Sequence, residues 1–246
     1  MKEGFRPITH APPDTFFGKI KFYGRMILDL QAITIYRDIK KTIPFFKGNV
    51  LDVGCGLSPF KFMLDPSQTK YFGIDIADAE KFDYKNPDIT PFNGEDIPFK
   101  NDEFDGVLCT EVLEHVQNYQ KLIDEMYRVM KKGSIAIITI PWSARYHYIP
   151  YDFFRYTPSS LKTMFKQFSE VKIQNRGTDI VNIANKVIVL WFRNLLPSKL
   201  LKWVLVPLWI IFSPILFSVV FIAHLALWFK LGSTDDPLGY TIWVKK

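Results

Sequence analysis

The chain has 246 residues, of which 48% are hydrophobic and 23% charged, with a formal net charge of +6 and a mean hydropathy of +0.03. That length holds one large domain or a domain with an appendage, and the composition excludes a disordered or collagen-like chain. Lysines and arginines are scattered, with no run resembling a nucleic-acid arm, so nucleic acid is not an expected partner and the hydropathy points instead to an apolar segment.

The opening stretch, MKEGFRPITHAPPDTFFGKI, lacks the apolar core of a cleavable signal. Only two cysteines occur, Cys55 and Cys109. They suit a reducing compartment, give no disulfide framework, and read as two buried small apolar residues.

In chain order, residues from about Tyr23 to Phe46 read as a helix. NVLDV is a short apolar run ending at two glycines, and KYFGIDI is a second with Asp75 near its end. FDGVLCT, Phe104 to Thr110, is a third. In the helical pattern that follows, Tyr119, Leu122, Ile123, Met126, Val129 and Met130 recur at three- and four-residue intervals, with Gly133 as the expected stop. SIAIITIP reads as a buried strand ended by Pro141, TPSSLKTMFKQF as a capped helix, SEVKIQNRG as a strand, and PLGYTIWVKK as a final strand. Strands alternating with helices imply an α/β fold with a parallel sheet and helices on both faces.

In such a sheet, ligands sit beyond the carboxyl ends of the strands. Gly54 and Gly56 follow the first strand, where the absence of Cβ lets backbone approach a ligand closely. Asp75 ends the second strand, 21 residues after Gly54, where a carboxylate can accept from both ribose hydroxyls. A dinucleotide would want a third glycine and a bare helix N-terminus for its pyrophosphate. The chain has Ser58 and Pro59 there, and an acid, Asp52, before the first glycine. An acid at that place suits a ligand with a cationic end and no phosphate. S-adenosylmethionine has that chemistry.

Two further stretches, GEDIPFKNDEFDGVLCTEVLEHV and YRVMKKGSIAIITIP, together with the glycine turn, resemble the middle of the class I S-adenosylmethionine-dependent methyltransferases of the UbiE-like, type 11 group. The resemblance covers about Asn49 to Pro141 and, more loosely, Tyr148 to Arg176. It implies a Rossmann-like seven-stranded sheet with the last strand antiparallel beside the sixth. It also implies that Asp52, Gly54 and Gly56 cradle the methionine part, and that Asp75 takes the ribose with Ile76 against the adenine. Asp96 would face the adenine amine beside Ile97, and Thr110 and Glu111 would end the fourth strand next to the cofactor. Ser58 departs from the family pattern, which has glycine there. Glu114 and His115 in that pattern anchor a helix start.

The stretch PWSARYHYIPYDFFRYTP follows the fifth strand, at the rim where an acceptor must lie. Its aromatic density suits an acceptor wall or lid, the alternative being a structural loop tied down by Asp152 and Arg155. HYIPYDFFRYT resembles a stretch of methyltransferases associated with bacterial surface-glycan synthesis. Methyl transfer is chiefly a positioning problem, and a hydroxyl acceptor also needs a base. His147 is the first candidate and Asp152 the second. No metal site is expected, because His10, His115, His147 and His224 are far apart in sequence and the cysteines lack ligand spacing.

From Trp203 to Phe229 the chain carries no charged residue, and as one helix this run would be about 40 Å long. Lys186, Arg193, Lys199, Lys202 and Lys230 flank it, with Trp203 and Trp228 at its ends, a pattern suited to an anionic membrane interface. A single crossing would leave the final strand on the wrong side, so the segment is expected to enter and leave on one face. Pro207 and Pro214 would divide it into two helices. A monotopic, re-entrant or in-plane anchor is therefore expected, with a soluble dimer cap or a true span as the alternatives.

The expected organisation is an N-terminal helical segment (1–48), a cofactor-binding core (49–178), an apolar helical insertion (179–234) and a returning strand (235–246). The expected function is a membrane-associated methyltransferase on the cytoplasmic side, using S-adenosylmethionine and acting on a lipid-linked, amphipathic or glycan-type acceptor. The alternatives are a soluble methyltransferase of a small apolar acceptor such as a quinone, and a catalytically inactive cofactor-binding membrane scaffold.

Overall fold

The computed structural model describes residues 10–76, 86–195 and 200–246. Its strands are β1 (Gly48–Val53), β2 (Thr69–Ile76), β3 (Ile89–Phe92), β4 (Phe104–Thr110), β5 (Met130–Pro141), β6 (Glu170–Arg176) and β7 (Gly239–Lys245). They form one sheet in the order β3-β2-β1-β4-β5-β7-β6. β7 lies antiparallel between β5 and β6, with Ile242 opposite both Ile138 and Ile173. The other pairings are parallel. This is the Rossmann-like methyltransferase sheet expected from the sequence. The central strands are apolar along their length because both faces are covered: Val50 to Val53 and Val107 to Cys109 are all buried.

The N-terminal segment differs from the single helix expected. It forms α1 (Phe16–Leu28) and α2 (Leu30–Thr42), separated at Asp29. Asp29 leaves helical geometry at φ −95° and ψ 89°, and its carboxylate caps α2 by accepting from the Ala32 N–H. Between β1 and β2 the described residues contain only a 3-10 turn, Lys61–Met63. α3 (Tyr119–Val129) ends earlier than expected, and Gly133 instead lies inside β5, where the register with β4 shifts. α4 (Pro158–Met164) is capped by Thr157, whose hydroxyl accepts from the Ser160 N–H.

The apolar segment forms α5 (Asp179–Leu195), α6 (Val206–Ile211) and α7 (Ser213–Phe229). Pro207 and Pro214 lie in the first turns of α6 and α7, where a missing N–H leaves no helical bond unmade. Leu216, Val220, Ala223 and Ala226 form a stripe on α7 that packs with Val181, Ala184 and Ile188 of α5 and with Leu30. The opposite face is bare: Phe217 is 70% exposed, Phe221 65% and Trp228 79%. Among the described residues, no single helix is long and apolar enough to cross a membrane. The stretches Trp203–Ile211 and Ser213–Phe229 qualify only together, and they bend by 59° at their break. Lys199 and the side chain of Lys202 lie outside the described residues.

Candidate active site

The carboxyl ends of β1, β2, β4 and β5 open into a cavity of about 1710 Å³. At its floor the β1 glycine turn runs with φ +66° at Gly54 and +53° at Gly56, angles that L side chains rarely adopt. A Cβ on Gly54 would collide with Val112, whereas the side of Gly56 faces open space. Ser58 also sits at a left-handed φ of 55°, without glycine's freedom. It is held there because its N–H donates to the Cys55 carbonyl (2.7 Å) and its Oγ accepts from Asn86 (3.1 Å).

Asp75 closes this turn. Its Oδ2 accepts from the Gly56 N–H at 2.7 Å and its Oδ1 from the Ile76 N–H at 2.7 Å. Asp75 lines the cavity as well, so the carboxylate that organises the turn is also placed to meet a ligand's diol. Ile76, Phe92, Asn93, Gly94, Thr110 and Glu111 continue the same wall. A Cβ-free turn, a buried carboxylate and an apolar slot beside it fit the amino-acid tail, ribose and base of S-adenosylmethionine.

Several expected residues are placed elsewhere. Asp52 is buried beneath the turn and does not line the cavity, and its Oδ2 accepts from the Tyr71 hydroxyl at 2.8 Å. Asp96 is turned outward, where it accepts from Asn93 and pairs with Lys121 at 2.7 Å. Ile97 is packed into the core, and neither residue lines the cavity. Asn93, Gly94 and Glu95 line the cavity in their place, with Glu95 also pairing with Lys121 at 3.4 Å. Sequence reasoning also missed the wall supplied by α1, α2 and α5, including Arg25, Asn185, Lys186 and Arg193. The available signal was Asn185 and Lys186 interrupting an otherwise apolar stretch of α5.

Burial pushes the Asp52 pKa up to about 7, with the Asp75 charge adding and the Tyr71 hydrogen bond opposing. Because the folded state favours the protonated form, this contribution is complete below the ordinary 3.8 and is lost as pH rises through about 7. The full span corresponds to about 4 kcal/mol. Asp52→Asn, which keeps an acceptor for Tyr71, is therefore expected to gain stability relative to the native protein as pH rises from 5 to 8, read from parallel denaturation curves. An unchanged difference across that range would show that Asp52 ionises normally.

At the rim, the turn Leu113–His115 and the loop after β5 are latched together. The Phe153 N–H donates to the Glu114 carbonyl at 2.8 Å, and the Tyr156 hydroxyl to the Leu113 carbonyl at 3.0 Å. Arg155 forks onto both oxygens of Asp152, at 2.6 and 2.8 Å. Burial opposes ionisation of Asp152, yet Arg155 and the His147 N–H hold its pKa below the usual carboxylate value. Asp152 does not line the cavity, so it cannot serve as a base there; it positions His147, whose Nδ1 lies 3.0 Å from its Oδ2. His147 does line the cavity, and burial together with His115 lowers its pKa to about 4.

The histidines that are remote in sequence meet in space. His115 and His147 have ring centroids 5.0 Å apart, and with Glu114 they form a group whose ligand atoms all lie within 4.8 Å of one another. The expectation of no metal site rested on sequence separation, which the latched loop removes. Cys55 and Cys109 are both buried free thiols.

A family model described as a methyltransferase domain matches residues 31–169, more than half of the chain. The chain belongs to the methyltransferase-domain family. Among curated relatives, an uncharacterized protein of Methanocaldococcus jannaschii is 32% identical over 123 residues, covering 48% of this chain and 54% of that one. The demethylmenaquinone methyltransferase of Listeria welshimeri is 29% identical over 97 residues, covering 35% of this chain and 41% of that one. The chain spans about half the length of the curated relatives it matches. Among solved structures, a SAM-dependent methyltransferase from Archaeoglobus fulgidus superposes with a TM-score of 0.53 at 20% identity, covering 94% of this chain and 99% of that one. A possible histamine N-methyltransferase from Thermotoga maritima gives 0.51 at 16% identity, covering 92% and 96%. These likenesses show the fold. The methyltransferase-domain family and the Rossmann-like methyltransferase fold are those that the sequence leads one to expect.

Proposed function

We propose that this protein works at a membrane surface, on its cytoplasmic side, and methylates an amphipathic or lipid-linked acceptor. Asp75, Gly54 and Gly56 hold the cofactor's ribose and amino-acid tail, and Ile76 and Phe92 flank its base. When bound, S-adenosylmethionine supplies an electrophilic methyl group on a sulfonium. The acceptor enters from the rim formed by His115, His147 and Tyr148. A histidine with a pKa near 4 is neutral at physiological pH, so His147 acts through a lone pair rather than as a store of protons.

The observation that carries the reading is continuity. The cavity wall runs onto α5, through Ile188, Val189 and Phe192, and α5 is the helix that supports the bare apolar face of α7. An exposed surface of this kind, flanked by Lys186, Arg193 and Lys230, suits the interface of an anionic bilayer. A lipid acceptor lying in that interface would meet the cavity from its apolar side. The apolar acceptor named for the Listeria relative supports the same class, and the similarity of the HYIPYDFFRYT loop to glycan-associated methyltransferases supports a glycan-bearing lipid within it.

Two measurements test this. Lipid extracts incubated with the protein and labelled S-adenosylmethionine are expected to yield a lipid heavier by one CH2 unit, seen by mass spectrometry. Label found only in water-soluble products would overturn the acceptor class. Separately, Phe217→Ser, Phe221→Ser and Trp228→Ser combined, all on one face of α7, are expected to lower partition onto anionic vesicles by at least ~10-fold, since each removes about 1.5–3 kcal/mol of apolar burial. Equal partition of native and triple variant would remove α7 as the anchor.

A further inference from the structure

Glu114 is fully buried, and neither of its carboxylate oxygens has a hydrogen-bond partner. A buried carboxylate without donors is costly, so it either holds a proton or is compensated by a cation beside it. The nearest basic group is His115, whose Nε2 lies 3.6 Å from Glu114 Oε1. That nitrogen is not a donor: His115 Nδ1 faces the Tyr151 carbonyl oxygen at 2.6 Å, which places the ring proton on Nδ1 and a lone pair on Nε2. His147 repeats the arrangement, its Nδ1 facing the Arg145 carbonyl at 2.9 Å and Asp152 Oδ2 at 3.0 Å. Both imidazoles thus present Nε2 lone pairs, with the opposite N–H anchored on a carbonyl or a carboxylate. Histidines that ligate metals are oriented in this way.

We propose that Glu114, His115 and His147 bind a divalent transition-metal ion, with its open coordination position toward the acceptor cavity. Two imidazoles and one carboxylate are a donor set for zinc, iron or manganese, and three protein ligands leave room for an exogenous oxygen. Ligands about 2.1 Å from a common tetrahedral centre lie about 3.4 Å apart, close to the 3.6 Å between His115 Nε2 and Glu114 Oε1. His115 and His147 line the cavity, whereas Glu114 closes the site from behind. An acceptor oxygen in the open position would be polarised and its proton made more acidic. That last role rests on the methyltransferase reading, whereas metal binding does not.

The test uses the full chain, stripped with chelator and titrated calorimetrically with Zn2+ and with Mn2+, with S-adenosylhomocysteine titrated in parallel. One equivalent of metal is expected to bind. Glu114→Gln and His147→Ala are each expected to weaken that binding by at least ~100-fold while leaving S-adenosylhomocysteine binding within about 2-fold, since neither side chain reaches the glycine turn. Thermal melts in chelator give a second reading if one variant folds poorly: metal should raise the melting temperature of the native chain and not that of His115→Ala. No metal uptake, or uptake equal in native protein and all three variants, overturns the proposal. Loss of nucleoside binding with metal binding intact would instead refute the cofactor site and leave the metal site standing.

Discussion

Asp75→Ala is expected to weaken binding of S-adenosylmethionine by at least ~100-fold, because two charge-assisted hydrogen bonds of about 1.5–3 kcal/mol each are lost with the carboxylate. Asp75 does two things with one group. It accepts the Gly56 and Ile76 N–H groups, both at 2.7 Å, and so fixes the conformation of the turn. Asp75 also lines the cavity, where the proposed cofactor's ribose would donate its hydroxyls to the carboxylate. Asp75→Asn is expected to fail almost as badly, since its amide NH2 would be aimed at one of two backbone donors. Calorimetry with S-adenosylhomocysteine separates this from unfolding, provided melting curves are recorded alongside. Unchanged affinity in the alanine variant would place the ribose elsewhere.

Arg176→Ala is expected to destabilise the protein by about 2–4 kcal/mol, because a fully buried side chain is truncated and Glu111, which keeps access to the cavity, loses its ion pair. Arg176 ends β6, is fully buried, and sends Nη2 to Glu111 Oε1 at 2.7 Å and to the Ile140 carbonyl at 2.8 Å. Gly239 leaves room for the guanidinium at the start of β7, since a Cβ there would collide with Nη2 and with the Ile140 carbonyl. Truncation would leave a void, an unpaired Glu111 and an orphaned carbonyl. For a chain of this size the expected fall in melting temperature is roughly 10 °C. Two further nitrogens of Arg176, Nε and Nη1, have no partner, so the native pair is itself imperfect. The double substitution Arg176→Met with Glu111→Gln is therefore expected to recover most of the loss, and a double variant as unstable as Arg176→Ala would refute the ion-pair account.

The sheet was legible because its signals are local. Apolar runs ending at glycine or proline marked β1 and β5, and three- and four-residue spacing marked α3. The break at Asp29 was missed because Tyr23 to Phe46 is apolar at helical spacing across it, and a single capping carboxylate outweighs that pattern. Asp75 and the two glycines line the cavity at the strand ends where their spacing along the first two strands puts them. Asp52, one strand position from the turn, was assigned to the ligand although the pleat carries its side chain toward Tyr71. Asp96 lies in a loop without periodicity, so nothing local marks that its carboxylate turns outward to Lys121. The meeting of Glu114, His115 and His147 depends on a loop folding back across the sheet, and no spacing rule encodes that. For α5 as a cavity wall the sequence offers only the polar interruption at Asn185 and Lys186.

The placement of β7 has a consequence for how the chain is made. β5 and β6 cannot be bridged until the strand between them emerges from the ribosome, and α5, α6 and α7 are translated first. During that interval the nascent chain displays an incomplete sheet with unpaired strand edges together with its most oily helices, a combination prone to aggregation. Closure of the sheet, and burial of the edges of β5 and β6, is therefore timed by the last seven-residue strand, Gly239–Lys245.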